Sequence, residues 1–351
     1  MANWLGSRRW RGLAAAVIIA LLIVTLASAI AGGRGHLVPA MDSAPPLTPE
    51  AAAGRRAGLV EASMRNVIYR VDDDITLAIK GLRGGLLPVS EDSLPIFDDP
   101  SSFAIEITDA EIAIDTASLG RLLTRYVFAY PGSPLRDLSV TVKEGELVQK
   151  GRLKKLVTLP FTIQARLSVT PAGEIRLEPH RVEVLGMGVR GLMDLFGLEL
   201  DDLVKNNRNH GVRIEEDIVY LDPGGMLPPP RIRGRLREVR VEPGRVVQVF
   251  GRGDSVVPPP YRTPDGAVSN YMYFRHSRLR FGKLTMTDAD MLIVDPDSTT
   301  PLDFSLDRYH EQLVAGYHLT TPEDGLVVYM PDVSKLGGRT ARRPDGRRAP
   351  P

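Results

Sequence analysis

The sequence predicts an α+β fold: a long, curved antiparallel sheet packed on amphipathic helices, with an N-terminal transmembrane helix and a strand-rich C-terminal extension. Three observations predict it. Between Val157 and Val169, Leu159, Phe161, Ile163, Ala165, Leu167 and Val169 take every second position, the period of a strand with one buried face. Leu119, Leu122, Leu123, Tyr126 and Val127, and again Val189, Leu192, Met193, Phe196, Leu200 and Leu203, recur at helical spacing and line one side of a helix each. Strand-like segments flank both, and the order strands, helix, hairpin, helix, strands implies helices gathered on one face of an antiparallel sheet.

Taken in order, Leu13 to Ala31 is an uncharged run rich in Ala, Leu, Ile and Val behind Arg8, Arg9 and Arg11. It matches the roughly 20 residues that cross a bilayer and exceeds the 7 to 15 or so of a signal-peptide core, so residues 1–34 read as a signal anchor. Ala27-Ser28-Ala29 and Ala29-Ile30-Ala31 keep a cleaved signal as the alternative. With the positive flank held in the cytoplasm, the body is exported. Residues 35–66 read as a linker and a short helix that Thr48-Pro49-Glu50 opens and that runs to about Met64.

Residues 67–250 form the main α+β domain. Val67, Tyr69 and Val71, then Ile75, Leu77 and Ile79, read as strands around Asp72-Asp73-Asp74, and Gly84 to Ser102 as a loop interrupted by Pro88, Pro95 and Pro100. Strands resume at Phe103, Ile105 and Ile107 and at Ile112 and Ile114. The first amphipathic helix is capped by Asp115 or Thr116 and ends before Pro131-Gly132. Leu138, Val140 and Val142 alternate up to a turn at Glu144-Gly145, and Pro171-Ala172-Gly173 turns the long strand back through Ile175, Leu177, Val182 and Val184. After the second helix, Ile232 to Val241 pairs with Val246 to Phe250 across Glu242-Pro243-Gly244. Residues 251–268 are a Gly- and Pro-rich linker, 269–332 a strand-rich C-terminal region, and 333–351 a basic tail expected to be disordered.

The net charge of +1 over 351 residues hides an asymmetry. The first 34 residues carry +4 and residues 335–351 carry +5, which leaves −8 for the body between them. Such a body repels nucleic-acid phosphates, so a nucleic-acid partner is excluded. Without cysteine there is no disulfide framework, thiolate metal site or cysteine nucleophile.

No catalytic signature stands in the chain: there is no nucleophile elbow, HExxH, phosphate-cradling loop or dinucleotide fingerprint. The three adjacent aspartates at 72–74 match no EF-hand loop and read as a solvated turn. His310 beside Glu311, with His318 eight residues on, is the nearest approach to a ligand pair and lacks a third ligand. Arg231, Arg233, Arg235, Arg237 and Arg240 stud one strand, either as an exposed row that discourages edge pairing or as a headgroup-phosphate site. Thr287-Asp288-Ala289-Asp290 echoes Thr108-Asp109-Ala110-Glu111, a chance match or a reused hairpin turn. No enzyme, metal or cofactor is expected.

The run LSVTVKEGELVQKGRLKKLVTLPFTIQARLSVTPAGEIRLEPHRVEVLG, the helix GLMDLFGLELDDLV and the segment DIVYLDPGGMLPPPRIRGRLREVRVE resemble bacterial exported proteins of the LmeA-like group. These are phospholipid-binding proteins related to the tubular lipid-binding, BPI-like fold. The resemblance, which covers about residues 100–250, implies acyl chains held between a curved sheet and a helix. On periodicity, the apolar positions facing such a groove are Leu119, Leu122, Leu123, Tyr126, Phe161, Ile163, Leu192, Met193, Phe196 and Leu200. The expected protein is thus a single-pass protein of the bacterial inner membrane with its body on the periplasmic side, its partner a phospholipid or other membrane lipid. The rival expectation is a non-catalytic structural or interaction protein of the cell envelope whose core is fully packed. An enzyme working through the aspartate-rich segment after Thr287 comes third.

Overall fold

The computed structural model describes residues 59–336, apart from 91–92, 128–134, 155–156, 189–211, 216–217, 222–229, 252–255, 264–265, 298, 306–307 and 322–324. The run from Leu13 to Ala31, the second amphipathic helix and the basic tail after Leu336 lie outside the described residues, so Leu192, Met193, Phe196 and Leu200 do too. The first residues of the expected disordered tail, Val333–Lys335, instead form a 3-10 turn. Among the described residues no helix is long and apolar enough to cross a membrane.

The protein is mostly β, which corrects the α+β expectation. Alternation dominates because nearly every described segment carries a period of two, while among the described residues helical spacing survives in two seven-residue α-helices, α1 (Thr116–Leu122) and α2 (Tyr309–Ala315). The strands form two large sheets and one small hairpin.

The larger sheet is mixed. Its first three strands, β1 (Val60–Asp72), β2 (Ile75–Pro88) and β3 (Phe103–Asp115), run antiparallel in sequence order. β1 starts where a helix through Met64 was expected, and β2 continues into the segment expected to be loop. Neither is forbidden by the prolines: Pro88 falls at the last residue of β2, where no further ladder bond is required.

The smaller sheet holds β4 (Leu135–Lys143), β5 (Glu146–Lys154), β6 (Thr158–Val169), β7 (Ile175–Val184), β8 (Met187–Gly188), β9 (Val212–Glu215) and β10 (Ile218–Leu221), in the spatial order β4-β5-β6-β7-β10-β9 with β8 on β7. The expected turns close it: Glu144 and Gly145 take φ of 54° and 77°, and Gly173 N–H donates to Thr170 O at 2.9 Å.

The chain then returns to the larger sheet. The expected single strand from Ile232 to Val241 is two: β11 (Arg231–Arg233) runs parallel to the start of β3, and β12 (Leu236–Glu242) pairs with β13 (Arg245–Phe250), which lies along the end of β3. The stretch expected to be a linker contains the hairpin β14 (Tyr261–Thr263) and β15 (Gly266–Val268).

The C-terminal region is not an appendage. β16 (Tyr271–Phe281) pairs antiparallel with β1, β17 (Leu284–Val294) pairs with β16, and β18 (Leu302–Ser305) runs parallel to the later part of β1. β19 (Tyr317–Thr320) and β20 (Leu326–Tyr329) complete the sheet beyond β17. The echoed Thr108–Glu111 and Thr287–Asp290 segments sit inside β3 and β17, not in hairpin turns.

One hydrophobic cluster runs from the larger sheet through α1 to the inner face of the smaller one, with β12 packed on β6. A second, small cluster of Tyr271, Leu292, Val294 and Val327 lies beside the β14–β15 hairpin, where Tyr261 meets Tyr271 and Tyr273.

Candidate functional site

The site that the sequence points to is the apolar interior between α1 and the smaller sheet. α1 begins at Asp115, whose carboxylate accepts from Ser118 N–H at 2.8 Å and from Ser118 Oγ–H at 2.6 Å, satisfying an orphan donor of the first turn. A π turn, Leu123–Val127, continues it, and Thr124 Oγ–H donates to Gly120 O at 3.0 Å. The helix packs on β4. Leu119, Leu122 and Leu123 point inward and are buried to 1% exposure or less.

Across from them, the period of two along β4 to β7 sorts most side chains by face, with register shifts at Arg136/Ser139 and Gln164/Ala165 and with Val148 buried on the far side of β5. Leu138, Val140, Leu147, Phe161, Ile163 and Leu177 are buried in the same cluster as the helix leucines. The structure therefore brings together Leu119, Leu122, Leu123, Phe161 and Ile163. Tyr126 lies in the π turn and its side chain falls outside the described set. The outer face is charged: Arg166 Nε lies 2.7 Å from Glu146, His180 Nε2 lies 3.1 Å from the same carboxylate, and Glu178 holds the Arg176 guanidinium above its ordinary pKa.

One inward residue of this sheet was missed in the sequence. Gln149 is completely buried on β5, and among the described residues neither its Nε2 nor its Oε1 has a hydrogen-bond partner. The signal was legible: in Leu147-Val148-Gln149-Lys150-Gly151 the glutamine stands in phase with Leu147.

Elsewhere, polar constellations resolve into structural roles. Arg125 bridges Asp72 at 3.3 Å and Asp74 at 2.5 Å, so the aspartate triplet is a clasped turn and the Asp74 carboxyl is held below its usual range. Of the arginine row, Arg235 donates to Pro171 O, and Arg240 lies among Glu111, Glu238 and Glu242. Arg231 and Arg233 are exposed. His310 meets Asp98 at 3.1 Å, beside the Tyr309 hydroxyl bonded to the same carboxylate. Among the described residues no group of three His, Cys, Asp or Glu could hold a metal ion.

The aspartate-rich region yields one perturbed carboxyl. Burial, with the charge of neighbouring Asp332, pushes Asp295 up to about 7, although Asp297 N–H donates to it at 2.8 Å. Asp332 binds Lys335 at 2.8 Å, while its Oδ1 is buried without a donor. A protonated Asp295 carboxyl would supply that donor. Nearby, Arg70 forks onto Asp303 at 2.5 and 2.9 Å. Comparison with protein-family models, curated proteins and solved structures returns no match for this chain.

Proposed function

We propose that the protein binds the acyl chains of a phospholipid or other membrane lipid in the apolar interior bounded by the smaller sheet and α1. The observation that carries this reading is a surplus of apolar surface. A 12-residue strand such as β6 extends roughly 40 Å, whereas α1 and the π turn that continues it to Val127 cover only about 18 Å. Among the described residues, the inner face continues beyond the helix as Val142, Leu153, Leu167, Val169, Val182 and Val184, which pack on the core but are only partly buried. Each methylene that an acyl chain buried there would contribute about 0.8 kcal/mol, so binding needs no charged anchor. The resemblance of residues 138–250 to LmeA-like proteins supports the same reading, and the apolar run from Leu13 to Ala31 would tether the body to the membrane it serves.

A second reading, a non-catalytic interaction protein of the envelope, is favoured by the complete burial of Leu119, Leu122 and Leu123. Lipid analysis separates the two. The full-length protein, purified in mild detergent and washed, should carry about one lipid per chain by quantitative mass spectrometry. Val182→Trp, which fills the partly buried margin opposite Ile163, should lower that occupancy with circular dichroism unchanged. A protein that holds no lipid and takes up none from labelled phosphatidylcholine vesicles is the packed envelope protein instead.

A further inference from the structure

Gln149 lies at the centre of the inner face, directly opposite Val140 on β4 and Ile163 on β6. Its neighbours in phase on β5 are Leu147 and Gly151. A Cβ on Gly151 would stand 2.6 Å from Leu138 Cδ2 and 2.7 Å from Phe161 Cζ, so these two side chains lean over the glycine beside the carboxamide. The polar side chains of the same strands cannot answer it, because Thr141, Lys150, Thr162 and Gln164 stand out of phase and face the other side.

A carboxamide has two donor hydrogens and an acceptor oxygen. Buried in hydrocarbon without partners, it forfeits its hydrogen bonds to water and gains none in return. A leucine would fit the row of Val140, Leu147 and Ile163 without that penalty. The group that complements it carries a donor and an acceptor together and no charge, since an ionised phosphate or carboxylate at this depth meets a far larger desolvation penalty.

We propose that Gln149 is the polar anchor of the acyl-chain site, and that it selects lipid-like molecules whose buried part bears an uncharged hydroxyl, amide or undissociated carboxyl group flanked by hydrocarbon. This rests on the reading that the interior of the smaller sheet admits a hydrocarbon guest. Anionic headgroup phosphates then stay outside the interior, and selection among lipids acts on the polarity of the buried part.

The test is a cycle of two ligands and two proteins, which cancels the different affinities of the ligands for water. Displacement of the fluorescent reporter N-phenyl-1-naphthylamine from full-length protein gives dissociation constants for 1-dodecanol and dodecane. On Gln149→Leu the ratio of the two should move about tenfold toward dodecane, the equivalent of one or two hydrogen bonds. Gln149→Met, unbranched and of similar length, should repeat the change should the leucine variant misfold. A ratio that stays within twofold while both ligands still bind overturns the role of Gln149 and leaves the acyl-chain site standing. If neither ligand displaces the reporter from the unmodified protein, the acyl-chain reading itself falls and this inference falls with it.

Discussion

Replacing Asp295 by asparagine should flatten the dependence of stability on pH between 5 and 8. The carboxyl is 6% exposed. Burial first, and then the charge of Asp332, raises it from 3.8 to about 7. In the unfolded chain the group returns to its ordinary value. Between those two values the folded protein holds a proton that the unfolded chain has released, so stability falls as pH rises and levels off above about 7. At about 1.4 kcal/mol per pH unit, less as the folded carboxyl begins to titrate, the fall from pH 5 to pH 7 amounts to about 2 kcal/mol. The carboxylates held below their usual range, Asp74, Asp98, Asp297, Glu242 and Glu311, titrate below this window and leave the slope alone. An asparagine amide donates to Asp332 Oδ1 at every pH and keeps an oxygen for Asp297 N–H, so the variant loses the slope and is the more stable protein at pH 8. Urea unfolding of the full-length protein at half-unit steps from pH 5 to 8 reads this directly, provided the m-value is constant. Parallel profiles for the two proteins would show that Asp295 does not carry the proton.

Two further predictions concern the larger sheet. Gly251 has φ of 82° where the chain leaves β13, and a Cβ there would strike Thr108 O, whereas Gly145, at 77°, has open space around it. Gly145→Ala should cost about 1 kcal/mol for the left-handed backbone alone, and Gly251→Ala at least about 2 kcal/mol more for the collision; equal urea midpoints would refute the steric account. Asp303→Ala strands Arg70, whose side chain is 24% exposed, and should destabilise by about 2–3 kcal/mol. The double variant Arg70→Met with Asp303→Leu should recover most of that loss, and additive losses would mean that the pair is not coupled.

The smaller sheet was the most legible part of the chain. Its apolar residues recur largely at every second position, its turns carry Glu144-Gly145 and Pro171-Ala172-Gly173, and each strand pairs with its neighbour in sequence from β4 to β7. The shared burial of five of the ten apolar positions was legible for the same reason: Phe161 and Ile163 lie in phase on one strand, and Leu119, Leu122 and Leu123 lie on one side of a capped helix. The class is not legible because two helical stripes imply a helical layer, while Gly84, Gly85 and Pro88 look like loop residues although they lie within β2. Gln149 escaped notice because polarity by itself does not reveal whether an inward position finds a partner.

The sequence by itself determined the strand periods, the turn positions, a cap of α1 at Asp115 or Thr116 and the sidedness of β4 to β7, since each depends on residues a few positions apart. Only the tertiary structure decided that β16 zips onto β1 across some two hundred intervening residues, that β11 and β13 share one edge of β3, and that Asp295 meets Asp332. Strand partners distant in sequence are chosen by which backbone edges and apolar faces remain unmatched after local pairing, and no spacing within a single segment records that choice.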